Sequence, residues 1–105
     1  MNDQLISLET TAPNLEEAEK IAKLILETRF ASCIQFQEIK SSFFWQEKLC
    51  QEQEILISIK TTANFFERIC QIIKKNHSYQ TPQIIAKKID FCEKNYFDWL
   101  ISSNK

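Results

Sequence analysis

The most strongly patterned stretch of the chain runs from Cys33 to Thr61. In its second half Ile55, Ile57 and Ile59 alternate with Glu54, Ser58 and Lys60, and Leu56 interrupts the polar side. Apolar residues at period two turn one face of a strand to the core and the other to water. In the first half Ile34 and Phe36 share one parity, whereas Ile39, Phe43 and Trp45 take the other. A switch of parity within one strand predicts a β-bulge near Gln37-Glu38. Gln46-Glu47-Lys48 is a short charged tip between the halves. The stretch therefore predicts one long antiparallel hairpin, each arm exceeding the usual strand of about 5–6 residues. A small domain does not cover arms of that length, so part of the hairpin is expected to meet another chain.

The flanking patterns supply the other elements. Leu5 to Thr11 reads as a short strand ended by Pro13. Asn14-Leu15-Glu16-Glu17 has the form of a capping box. Leu15, Ala18, Ile21, Ala22 and Ile25 then recur at helical spacing, which predicts an amphipathic helix to about Arg29. Beyond the hairpin, Asn64 or Thr62 is expected to cap a second helix that buries Phe65, Phe66, Ile69, Cys70, Ile72 and Ile73. A polar loop, Asn76 to Pro82, leads to a strand over Gln83 to Phe91, and Asn95 is expected to cap a last helix bearing Tyr96, Phe97, Trp99, Leu100 and Ile101. The first six elements are the βαββαβ order of the ferredoxin-like split unit. Right-handed crossovers place both of its helices on one face of a four-stranded antiparallel sheet. The expected fold is α+β: a ferredoxin-like sandwich with a long hairpin and an extra C-terminal helix, one domain over residues 1–105.

Composition narrows the possible functions. Apolar residues make up 44% and charged residues 26%, ordinary values for a globular chain. The formal net charge of -1 supplies no basic field for nucleic acid. The chain has no glycine, which excludes a glycine-rich phosphate loop, and no nucleotide is expected. No apolar run approaches the roughly 20 residues of a membrane span. No basic-then-apolar leader opens the chain, so a cytoplasmic location is expected. Cys33, Cys50, Cys70 and Cys92 form no Cys-x-x-Cys pair, which argues against a zinc ribbon or a thioredoxin-like motif. In a reducing compartment they are thiols.

Candidate chemistry is sparse. His77 is the one histidine, so any histidine-assisted nucleophile depends on it. A loop histidine is more often a solvated or capping group than a ligand. Cys33 behaves by default as a small buried hydrophobe. Thiolate and imidazole together are ligand types that suit copper and zinc, though 44 positions of separation carry no geometry. Glu52 and Glu54 share a strand face, as do Glu54 and Lys60. Trp45 and Trp99 suit packing or interface anchoring.

Several segments taken together resemble one known family. These are Ala31-Ser32-Cys33-Ile34-Gln35, Ser42-Phe43-Phe44-Trp45-Gln46-Glu47-Lys48, Glu52 to Thr61, His77-Ser78-Tyr79-Gln80-Thr81-Pro82 and Tyr96-Phe97-Asp98-Trp99-Leu100. In order and spacing they resemble the CutA divalent-cation-tolerance proteins over essentially the whole chain. The resemblance implies a ferredoxin-like domain, a homotrimer and a cytosolic role in tolerance to divalent metals, copper above all; it does not imply an established enzymatic reaction, and no enzyme is expected. It implies Cys33 and His77 as metal ligands for Cu(II) or another divalent ion. Where the family carries an acidic residue after the loop proline, a proline after the histidine and a glycine at the hairpin tip, this chain has Gln83, Ser78 and Glu47. Trp45, Glu54, Lys60 and Tyr79 are expected near clefts between subunits. The alternative reading is a trimeric small-ligand sensor or protein-interaction module that uses those clefts.

Overall fold

The computed structural model describes residues 4–104. Its elements are β1 (Leu5–Ala12), α1 (Leu15–Thr28), β2 (Cys33–Trp45), β3 (Lys48–Thr62), α2 (Phe66–Asn76), β4 (Ile84–Lys88) and α3 (Lys94–Ser103), with a 3-10 turn over Ala63–Phe65. The four strands form one antiparallel sheet in the order β2-β3-β1-β4. This is the ferredoxin-like sandwich the pattern predicts, with α3 added. Among the described residues, no helix is long and apolar enough to cross a membrane.

Register explains the core. Opposed residues of antiparallel strands point to the same face, so Leu8 lies beside Ile59, Thr10 beside Ile57 and Ala12 beside Ile55. Ala18, Ile21 and Ile25 of α1 and Ile69 and Ile73 of α2 pack down onto that face and are fully buried. A completely buried Ile or Leu contributes about 1.5–3 kcal/mol relative to exposure, so this layer dominates the fold.

Helix ends follow local chemistry, with three differences from expectation. Asn14 caps α1 as predicted: its side chain accepts from the Glu17 backbone N–H at 2.8 Å. The second half of the capping box is absent, because the Glu17 carboxylate is taken by Ser78. Neither Thr62 nor Asn64 caps α2; their side chains bond each other, and the 3-10 turn leads straight into the helix. Glu93, not Asn95, caps α3, accepting from the backbone N–H of both Asn95 and Tyr96 at 3.0 Å.

The predicted bulge does not form. Pairing of β2 with β3 is one-to-one from Cys33↔Lys60 to Trp45↔Lys48. The parity switch has another cause. β1 ends at Ala12, opposite Ile55, but the hairpin continues for seven more pairs, from Ile39↔Glu54 to Trp45↔Lys48. Ile34 and Phe36 face the helices; Ile39, Phe43 and Trp45 face the other way, on a section that β1 does not flank. The tip is a two-residue turn, Gln46-Glu47, with both residues at positive φ (51° and 64°). That is the geometry whose twist matches a hairpin, here built without glycine.

Candidate functional site

Where β1 ends, four elements converge. α2 stops at Asn76, whose side chain donates to the Ile72 carbonyl at 2.8 Å, and the chain turns extended at His77. The His77 ring, with no exposed side-chain surface, lies against the end of β1 and the first turn of α1. The Tyr79 backbone N–H donates to Nδ1 at 2.9 Å. The ring proton therefore sits on Nε2, which donates to the Thr11 carbonyl at 2.6 Å. The Glu17 carboxylate lies 3.4 Å from Nδ1 and accepts from both the N–H and the hydroxyl of Ser78 at 3.0 Å. Ring centroids of His77 and Tyr79 are 4.8 Å apart.

Tyr79 carries the cluster to β3. Its hydroxyl donates to Glu54 Oε2 at 2.8 Å, and Glu54 is only 8% exposed. Burial first, then the bond to Glu54 and the charges of Glu54, Glu52 and Glu17, push the Tyr79 hydroxyl well above its ordinary pKa. Glu54 also walls a cleft of about 400 Å³ with Pro13, Glu38, Ile39, Lys40 and Gln53. The arrangement is a buried imidazole, a phenol and two carboxylates. It offers anionic oxygen to a cation or to a hydrogen-bond donor entering the cleft.

The other sequence-derived candidates lie elsewhere. Cys33 is opposite Lys60, four positions along β3 from Leu56, the partner of Thr11. With two strand spacings between β2 and β1, Cys33 is about 16 Å from Thr11, the residue whose carbonyl His77 contacts, so the two side chains lie well apart within one chain. The Lys60 ammonium donates to Gln35, not to Glu54. Trp45 sits half-exposed at the hairpin tip. The Cys33 end is covered by α3. Ser32 donates to the Leu100 carbonyl at 2.9 Å, and burial, followed by a hydrogen bond with Cys33, raises the Tyr96 hydroxyl above its usual pKa. Thus His77, Tyr79 and Glu54 come together, while Cys33, Lys60 and Trp45 do not join them.

Glu17 and Thr11 belong to the cluster and were not predicted. Glu17 is visible in the sequence only as a capping-box residue, and Thr11 takes part through its backbone carbonyl. Among the described residues, metal donors do not gather into a coordination set. Both His77 nitrogens are engaged, and among the described residues no group of three or more His, Cys, Asp or Glu could hold an ion.

A ferredoxin-like sheet with an overlong hairpin, and a histidine–tyrosine–glutamate cluster at the hairpin's base, define the α+β class of this protein. Residues 6–103 match the family model described as CutA1 divalent ion tolerance protein, and the chain belongs to that family. It is 41% identical over 90 residues to the divalent-cation tolerance protein CutA of Archaeoglobus fulgidus, covering 86% of this chain and 88% of that protein. A CutA structure from the same organism, described as periplasmic, superposes with a TM-score of 0.92 at 37% identity, covering 94% of this chain and 97% of that one. The CutA1 structure from Oryza sativa gives a TM-score of 0.94 at 28% identity, covering 99% and 96%.

Proposed function

We propose that the chain works as a homotrimer in tolerance to divalent metal ions, and that it binds copper. The observation that carries the assembly is the uncovered part of the hairpin. Phe44 and Leu49, paired across the strands, are 76% and 73% exposed, with Phe43 and Trp45 also exposed on the opposite face. An apolar ribbon with an unpaired edge is aggregation-prone unless it is covered, and three copies in cyclic closure cover one another. Membership of a divalent-ion-tolerance family supports the metal reading. Cys33 and His77 remain the candidate ligands, His77 only on giving up its bond to the Thr11 carbonyl or to the Tyr79 N–H. Their separation in one chain means that they serve separate ions or meet from neighbouring copies. Four free thiols support a reducing, cytoplasmic location. The reading assigns no catalysis.

Sedimentation equilibrium on dilute protein should return three times the chain mass; a single-chain mass removes the assembly. Cu(II) titration by calorimetry should show weaker binding in Cys33→Ser and in His77→Ala. Unchanged affinity in either variant removes that residue.

The cleft beside Glu54 favours a second reading, a small-ligand sensor. Thermal shifts across a metabolite panel, abolished by Glu54→Gln and indifferent to copper, would select it over the first.

A further inference from the structure

A second cavity, of about 660 Å³, lies on the helical layer between α1 and α2, away from the hairpin arms and from the Glu54 cleft. Its walls are Leu24, Phe30, Arg68, Gln71, Ile72 and Lys75, together with two side chains already committed elsewhere. Those two are Thr28, which donates to the Ile25 carbonyl, and Asn76, which donates to the Ile72 carbonyl. Arg68, Gln71, Ile72 and Lys75 follow one another at i, i+3, i+4 and i+7, so they form one stripe along α2. The two cations stand two turns apart, about 10 Å along the helix axis, with apolar Ile72 and Leu24 between them.

Three observations point to an anion. No carboxylate lines the cavity. Among the described residues neither Arg68 nor Lys75 forms an ion pair. The guanidinium is also held in place: it lies 5.5 Å from the centroid of the Phe30 ring, which is itself stacked on Phe65 at 5.2 Å. A cation fixed in this way loses little freedom when it meets a carboxylate. The volume is in the range of small-molecule sites.

We propose that this groove binds an amphipathic dianion, with two carboxylates about two helical turns apart joined by an apolar spacer. One carboxylate meets Arg68, the other meets Lys75, and the spacer lies on Leu24 and Ile72. The site shares no lining residue with the Glu54 cleft and includes neither Cys33 nor His77.

Sebacate, an α,ω-dicarboxylate of suitable length, is the probe. Added to the full-length protein, it should shift the amide resonances of Leu24, Gln71 and Lys75 saturably. Arg68→Gln and Lys75→Gln should each weaken binding about tenfold, as expected for one charge-assisted hydrogen bond. Decanoate, with a single carboxylate, should bind weaker than sebacate by a similar factor. Lys40→Gln, in the other cleft, should leave binding unchanged. Both groove variants replace exposed side chains, and their amide spectra report whether they are folded. Non-saturable shifts, equal affinity for decanoate, or unaltered binding in both variants would overturn the proposal. So would tight binding of an acidic peptide with glutamates seven residues apart in the absence of any sebacate response.

Discussion

The hydroxyl of Tyr79 donates to Glu54 Oε2 at 2.8 Å, tying the loop after α2 to the strand that runs out into the hairpin. Two links further along, His77 joins the same loop to the end of β1. Removing the phenolic oxygen in Tyr79→Phe leaves a largely buried carboxylate short of one partner. The expected loss is about 1.5–3 kcal/mol, the range for a hydrogen bond to a charged group. Thermal unfolding at fixed protein concentration measures it. Glu54→Gln keeps an acceptor for the hydroxyl and is expected to cost less.

The same hydroxyl sets a pH dependence. Its folded pKa is raised above the ordinary tyrosine value near 10. The folded chain therefore holds this proton more tightly than the unfolded chain does. The resulting stability is complete below about pH 10 and falls as pH rises beyond it. Denaturant midpoints should decline more steeply with pH in the parent than in Tyr79→Phe across that alkaline range.

Asn14 supplies one side-chain acceptor to the first turn of α1. Asn14→Ala should cost about 1 kcal/mol. With Glu17 diverted to Ser78, no second side-chain cap makes up the difference. Urea denaturation would read this as a lowered midpoint at unchanged slope.

At the hairpin tip, Glu47 holds a φ of 64° with a full side chain. Glu47→Gly relieves that conformation and should raise stability by about 1 kcal/mol. The change should register as stronger hydrogen-exchange protection at Trp45 and Lys48, the pair that closes the turn.

Ile57 is fully buried in the shared core of helices and sheet. Ile57→Ala should cost about 2–5 kcal/mol. A smaller loss by calorimetric melting would mean that the helices close over the gap.

Local pattern revealed much of this architecture. Alternation of Ile55, Ile57 and Ile59 fixes which face of β3 is covered, because period two is a property of the strand alone. The switch between Phe36 and Ile39 predicts a bulge that the one-to-one pairing lacks. Parity records which face is buried, and that changes where β1 stops, a tertiary fact invisible in β2 itself. The α3 cap was displaced from Asn95 to Glu93 because both side chains can accept from a first turn, and only backbone geometry decides between them. His77 and Tyr79 could be picked out as neighbours in one loop. Their partners Glu17 and Thr11 are 60 or more positions away, and no spacing rule joins them.

Beyond Ala12 the two arms carry on for about 23 Å with no third strand beside them. Such a ribbon behaves as a cantilever: the folded body anchors its root, and nothing in the same polypeptide damps its far end. Tension or crowding at the tip would reach the body through the Ile39–Glu54 pair, the first past the anchorage. The pivot of the cantilever thus coincides with the carboxylate that Tyr79 grips.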